Sequence, residues 1–126
     1  MKAIPLKMRE KMNSMFFYEI CARQHAFRDH VCKANPMTGQ PIEWEHALTY
    51  KGQRVNEIWA IIPLCWWAHS GGGLIKDISK WIALNRATKI ELRNPKYIKN
   101  TWEKDLLYLN GKYGGYSMPK FIKMRE

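Results

Sequence analysis

A hairpin pattern in the middle of the chain constrains its fold more than any other feature. Ile42–Leu48 is typical of a strand, and the apolar, partly β-branched run Ile58–Leu64 is typical of a second one. The polar segment 49–57 between them contains Gly52 and is typical of a loop. Pro63 has no N–H group to donate, so we expect it to end the second strand or to lie at a sheet edge.

Helical patterns lie on both sides of this hairpin. Apolar side chains recur at three- and four-residue spacing in segments 7–27 and Ile75–Ala87, which predicts amphipathic helices there. Asn94 followed by Pro95 predicts another helix start, and Gly111 is its expected end. The apolar face expected for that helix consists of Ile98, Trp102, Leu106 and Leu109.

This arrangement predicts a single α+β domain over residues 1–126. An apolar content of 46% supports a packed core. We expect Trp44 and Trp59 to lie in this core or at an interface, and the alternative is that they stack on bases. Nothing at the N-terminus resembles a signal peptide, and the longest apolar run, Trp59–Ala68, is too short to span a bilayer. We therefore expect a soluble, cytoplasmic protein without a membrane partner.

The net charge of +10 points to an acidic partner. Residues 76–126 carry 12 basic and five acidic side chains, whereas residues 1–75 carry nine and six. A basic surface suits a phosphate backbone, because each phosphate that is neutralised releases counterions. We expect DNA as the partner, with RNA as the alternative nucleic acid. The competing interpretation is that the charge serves solubility alone.

Four polar side chains in and around the hairpin can form a catalytic site. Glu45 and His46 end the first strand, Asn56 lies in the loop, and His69 follows the second strand. A carboxylate and an imidazole suit Mg²⁺, Mn²⁺, Ni²⁺ or Zn²⁺, and a second imidazole can act as a general base near neutral pH. Glu43 is the alternate acid, on the same strand face as Glu45. The competing interpretation is a buried core that happens to hold two histidines.

The order of acid-His, loop Asn, apolar strand and final His resembles the His-Asn-His (HNH) endonucleases of the ββα-metal fold. Within that superfamily, the segment EWEHALTYKGQRVNEIWAIIPLCWWAH is similar to small phage and prophage nucleases, including recombination-associated ones. The likeness covers residues 21–73 and implies a phage-derived, metal-dependent DNA endonuclease. It implies a ββα-metal core between an N-terminal helix and a basic helical part, 74–126.

The same resemblance implies a role for each residue of the motif. His46 would be the general base that activates water, and Asn56 would orient the loop and that base. Glu45 and His69 would bind the metal ion. The sequence shows no recognition helix that reads base edges, so we expect cleavage with little sequence preference.

A structural zinc ion is a further expectation. Many members of this superfamily hold zinc with two Cys-x-x-Cys pairs, and neither pair is complete here. A tetrahedral site can still be drawn from three cysteines and one histidine. These ligands would be Cys21, Cys32 and Cys65 with either His25 or His30. The alternative is three buried thiols, which are common in protein cores.

Other interpretations stay open beside the nuclease. Lys51 and Arg54 are candidates for phosphate contacts next to the site, and a solvated loop is the alternative. The scaffold could also serve a non-catalytic nucleic-acid-binding module. The adjacent Trp66 and Trp67 could instead bind a host recombination or defence protein. The oligomeric state is left open.

Overall fold

The fold was analysed in a computed structural model that describes residues 4–19, 21–22, 42–64 and 74–113. Four short strands lie between helices, and this mixture agrees with the expected α+β class. The helices are α1 (Leu6–Asn13), α2 (Leu74–Arg86), α3 (Lys89–Leu92) and α4 (Trp102–Lys112). The strands are β1 (Glu43–His46), β2 (Thr49–Tyr50), β3 (Gln53–Arg54) and β4 (Ile61–Leu64). No helix in these ranges is long and apolar enough to cross a bilayer.

The predicted helix over 7–27 is wrong in its extent, because α1 ends at Asn13. Ser14 follows it, and both its hydroxyl and its N–H donate to the carbonyl of Lys11, at 2.6 and 3.1 Å. A serine side chain that bonds a nearby carbonyl competes with the helical ladder, and the chain continues as a 3₁₀ turn, Phe16–Glu19. Residues 20 and 23–27 of the prediction lie outside the described ranges.

The central hairpin is present with shorter strands than predicted. β1 pairs antiparallel with β4, with Glu45 opposite Ile62 and His46 opposite Ile61. The predicted second strand begins instead as a 3₁₀ turn, Ile58–Ala60, which only then extends into β4. Pro63 lies inside β4 opposite Trp44, and a proline is tolerated there because this sheet of the described chain has two strands, each with an open edge.

The predicted loop 49–57 contains a second, smaller hairpin. β2 pairs with β3 through a two-residue turn formed by Lys51 and Gly52. Both turn residues have positive φ angles, 51° and 76°, which are those of a type I′ turn. Directly after β3, the N–H of Val55 donates to the carbonyl of Leu48 at 3.0 Å. This hydrogen bond joins the two ends of the small hairpin.

The core lies between β4 and α2. All four residues of β4 are buried, and α2 buries Ile78, Trp81 and Ile82. α2 therefore confirms the helix predicted for Ile75–Ala87 to within one residue at each end. Trp59 belongs to this core at 4% exposure, as expected, whereas Trp44 is half-buried at its margin.

The C-terminal helix does not begin where the sequence predicted. Asn94 does cap through its side chain, which accepts from the N–H of Lys96 at 2.9 Å, but it starts only the 3₁₀ turn Pro95–Tyr97. Lys99 then adopts a left-handed φ of 64°, which interrupts any helix, and α4 starts at Trp102. Ile98 consequently lies outside the helix and is 62% exposed. Gly111 is also not the stop, because α4 continues to Lys112.

Candidate functional site

The end of β1 and the following loop bring His46 and Asn56 together. Nε2 of His46 lies 2.6 Å from Oδ1 of Asn56. A carboxamide oxygen only accepts hydrogen bonds, so the hydrogen of this bond belongs to Nε2. In the neutral tautomer with this hydrogen bond, Nδ1 is the imidazole nitrogen with the lone pair, and the described residues form no hydrogen bond to it. The contact brings Asn56 to the histidine, and its role as the residue that orients the ring stays a prediction.

Glu45, one residue earlier in β1, contacts a different element. Its Oε2 accepts a hydrogen bond from Oγ of Ser79, in α2, at 2.8 Å. Ser79 is only 2% exposed, so this carboxylate oxygen is held by a buried hydroxyl. Alternation along the strand therefore sends Glu45 toward the helix and His46 toward the loop.

Both side chains nevertheless line one cleft of about 440 Å³, the site cleft. Its other walls come from β1 and the residue after it, from β2, from β3 and from the first turns of α2, and they contribute Trp44, Ala47, Thr49, Arg54, Asp77, Ser79 and Lys80. Glu43 is not among the lining residues, so Glu45 rather than the alternate acid faces this space. Arg54 does line the cleft, whereas Lys51 lies outside it.

Charged pairs surround the site cleft. Nζ of Lys112, from α4, lies 2.7 Å from Oδ2 of Asp77, and this hydrogen bond raises the pKa of Lys112. Lys80 lies 2.9 Å from Oδ2 of Asp105. Each pair joins α2 to α4, so the rim of the cleft depends on the contact between these two helices.

Of the predicted metal ligands, only Glu45 falls within the described residues, because His69 lies outside them. Among the described side chains, no group of three or more His, Cys, Asp and Glu is close enough to hold a metal ion. The carboxylate of Glu45 does suit a hard divalent cation, and it is already oriented by Ser79. The metal site therefore stays a prediction that requires His69.

The structural zinc site also stays a prediction, because most of its proposed ligands lie outside the described residues. Cys21 is described and is fully buried in the core. Cys32, Cys65, His25 and His30 lie outside the described residues, as do Trp66 and Trp67.

No protein-family model, curated protein or solved structure matches this chain. The geometry of the site cleft is consequently the basis for any assignment of function.

The sequence did not predict several residues of the cleft, among them two polar residues of α2. Ser79 and Asp77 lie in α2, which was interpreted only as an amphipathic helix. A usable signal was present for Ser79, because it lies one position after Ile78 and three before Ile82, on the apolar face of that helix. A polar residue on a buried face requires a partner, and here the partner is Glu45.

Proposed function

We propose that this chain is a metal-dependent DNA endonuclease of the His-Asn-His type. The observation that carries the proposal is the contact of 2.6 Å between His46 and Asn56, beside a carboxylate, Glu45, in the same cleft. In this proposal β1, β4 and the segment that carries His69 form a ββα-metal core.

His46 has the chemistry of a general base in this site. With its hydrogen on Nε2, the ring presents Nδ1 to a water molecule and can accept a proton there. The water oxygen forms a new bond to phosphorus, and the bond from phosphorus to the leaving oxygen breaks. Asn56 supports this step without touching the substrate, because it fixes the ring and the nitrogen that carries hydrogen.

Glu45 and His69 are the residues that would hold the metal ion. When bound, a divalent metal stabilises the negative charge that develops on the phosphate during hydrolysis. Ser79 would keep the Glu45 carboxylate in one orientation, which lowers the entropic cost of binding the ion.

The net charge of +10 supports a polyanionic substrate. Arg54 lines the site cleft together with His46, and its guanidinium is the candidate for a contact with a phosphate group there. We expect binding through the backbone of DNA, with an affinity that decreases steeply with salt.

Cleavage of supercoiled plasmid tests the proposal. We expect nicked or linear product with Mg²⁺, Mn²⁺, Ni²⁺ or Zn²⁺ and none with EDTA. His46→Ala should lower the rate by about 10²- to 10⁴-fold, the usual contribution of a general base. Glu45→Gln and His69→Ala should show no cleavage with any of these metals, because each change removes a proposed metal ligand.

Glu43→Gln is the matched control, since it removes a carboxylate from the same strand outside the cleft. We expect it to cleave like the native protein. An absence of cleavage with every metal, or equal cleavage by His46→Ala, would contradict the nuclease. If DNA binding persisted in that case, the chain would be a non-catalytic binding module.

A further inference from the structure

A second cleft, of about 260 Å³, lies directly beside the site cleft, and we call it the lysine cleft. The two share Ala47, Thr49 and Lys80, so they form a continuous surface. Lys51 and Lys99 lie on the lysine cleft as well. The remaining lining residues are Leu48, Tyr50, Asn100, Thr101, Trp102 and Asp105.

Aromatic contacts hold the two walls of the lysine cleft together. The hydroxyl of Tyr50, next to Lys51, donates to the carbonyl of Ile98, next to Lys99. The Tyr50 ring also meets the Tyr97 ring edge-on, with 5.5 Å between centroids. These contacts join the small hairpin to the turn before α4, so they hold the backbone next to Lys51 against the backbone next to Lys99.

Both lysines have a backbone conformation that lysine rarely adopts. Lys51 has a φ of 51° in the type I′ turn, and Lys99 has a φ of 64°. Asparagine and glycine are the residues that favour these positions, so a lysine there costs conformational free energy. Two such residues on the same cleft suggest that their ammonium groups are retained for a function.

Within the part of the chain that the structure describes, no carboxylate forms an ion pair with either of these two lysines. Lys80 is paired with Asp105 at 2.9 Å, but neither Lys51 nor Lys99 forms an ion pair within the described part of the chain. Nζ of Lys51 instead lies 5.4 Å from the centroid of the Tyr50 ring. Among the described residues, Lys51 and Lys99 therefore contribute two positive charges without an ion pair to the lysine cleft, whereas the carboxylate of Asp105 on the same cleft is paired with Lys80.

We infer that the lysine cleft binds the phosphodiester backbone of DNA, with Lys51 and Lys99 contacting phosphates next to the one in the site cleft. The inference rests on the proposed function for the position of the cleaved phosphate, whereas binding by the two lysines can be tested without cleavage. It assigns to the turn before α4 a part in substrate binding that the motif around His46 does not include.

The test is the affinity for a short fluorescein-labelled DNA duplex, measured by anisotropy in EDTA over a range of salt concentrations. The variant is Lys51→Asn combined with Lys99→Asn. Asparagine suits both left-handed positions, so the thermal midpoint of unfolding should stay the same or rise. A second pair, Lys51→Gly with Lys99→Gly, removes the same charges with a residue that also favours a positive φ and has no side chain.

Each lysine that contacts a phosphate contributes roughly 0.9 to the slope of log affinity against log salt. We expect the slope of the double variant to be shallower by about 1.8. This corresponds to a loss of affinity of about eightfold for each lysine at 0.1 M salt. Lys7→Gln with Lys104→Gln is the matched control, because it removes two exposed charges that do not line the cleft. The loss of DNA affinity in this control pair should be clearly smaller than the loss in the Lys51→Asn, Lys99→Asn variant.

An affinity and salt slope equal to those of the control pair would overturn the inference, and so would a native protein that fails to bind DNA. Plasmid cleavage is a separate measurement. A native protein that binds through these lysines but never cleaves would contradict the nuclease and leave the phosphate contacts in place. A native protein that cleaves plasmid, together with a double variant that binds DNA unchanged, would support the nuclease and contradict the phosphate contacts of the two lysines.

Discussion

At the scale of single residues, the hydrogen bond between His46 and Asn56 determines which nitrogen of the imidazole can act as a base. The oxygen of Asn56 faces Nε2, so the neutral ring carries its hydrogen there. A histidine without such a partner exchanges between two tautomers, and only one of them presents the correct nitrogen. Asn56 therefore increases the fraction of protein in which Nδ1 can accept a proton.

Replacement of Asn56 tests this assignment. We expect ¹⁵N NMR of the native protein to show His46 with hydrogen on Nε2, and Asn56→Leu to show a mixture of tautomers. A native protein with hydrogen on Nδ1, or an Asn56→Leu variant with an unchanged spectrum, would contradict the prediction.

Part of the site follows from the sequence at this scale and part does not. His46, Asn56 and Glu45 are recognisable because their spacing matches the ends of a hairpin, which are local features. The partner of Glu45 is not recognisable in this way, because Ser79 is 34 residues away and is brought close only by the packing of α2 on the sheet. Sequence spacing carries little information about such distant contacts.

At the scale of elements, a buried hydroxyl joins the N-terminal segment to the sheet. The hydroxyl of Tyr18 donates toward the carbonyls of Ile58 and Ile61, at 2.5 and 2.7 Å. It also accepts from Nη1 of Arg86, at the end of α2, at 2.8 Å. The guanidinium of Arg86 lies 3.8 Å from the centroid of the Phe17 ring and is 4% exposed. The side chain of Tyr18 thus connects its own 3₁₀ turn, Phe16–Glu19, to the 3₁₀ turn Ile58–Ala60, to β4 and to α2.

Tyr18→Phe should destabilise the fold by about 1–3 kcal/mol, because buried polar groups lose a partner while the ring is kept. The measurement is the free energy of unfolding in urea. Tyr108→Phe is the control, since Tyr108 is 67% exposed and its change should stay within about 0.5 kcal/mol. Equal effects of the two changes would mean that the hydroxyl of Tyr18 does not stabilise the contact.

The elements themselves were predicted well where periodicity is long. α2 has a regular apolar stripe over 13 residues, and its bounds were nearly correct. The errors arose where one side chain changed the backbone path, as at Ser14, which ends α1, and at Lys99, which delays α4. The hairpin at Lys51 was missed because lysine is not a usual type I′ residue.

At the scale of the whole molecule, aromatic side chains connect the hairpins to the C-terminal part. Trp59 meets Trp102 at 5.3 Å, and Trp102 meets Tyr97 at 5.0 Å between ring centroids. The hydroxyl of Tyr97 donates to Oε1 of Glu57 at 3.0 Å. Burial, followed by this bond to a carboxylate, raises the pKa of Tyr97 from 10.0 to about 12.

Tyr97 should therefore make the fold sensitive to alkaline pH. The folded chain retains the phenol hydrogen at pH values where the unfolded chain has lost it, so this contribution is complete below pH 10 and is lost as the pH approaches 12. We expect the native protein to lose about 2 kcal/mol of unfolding free energy over this range through Tyr97. Urea unfolding at several pH values measures this loss.

Tyr97→Phe should lack that part of the decrease, and the difference between the two proteins isolates it from the other groups that titrate at high pH. Tyr108→Phe again serves as the comparison, because its phenol is exposed. Identical alkaline decreases in the native protein and Tyr97→Phe would show that Tyr97 does not contribute.

The hydrogen bond between Glu45 and Ser79 has a consequence for the order in which the chain is made. A ribosome delivers the hairpin with His46 and Asn56 before it delivers α2, because Ser79 follows Glu45 by 34 residues. A nascent chain that ends before α2 carries the imidazole and its amide partner but no hydroxyl to orient the carboxylate. An unfinished or proteolytically shortened chain would then lack an oriented Glu45 carboxylate, so the candidate site is complete only in chains whose synthesis has passed α2.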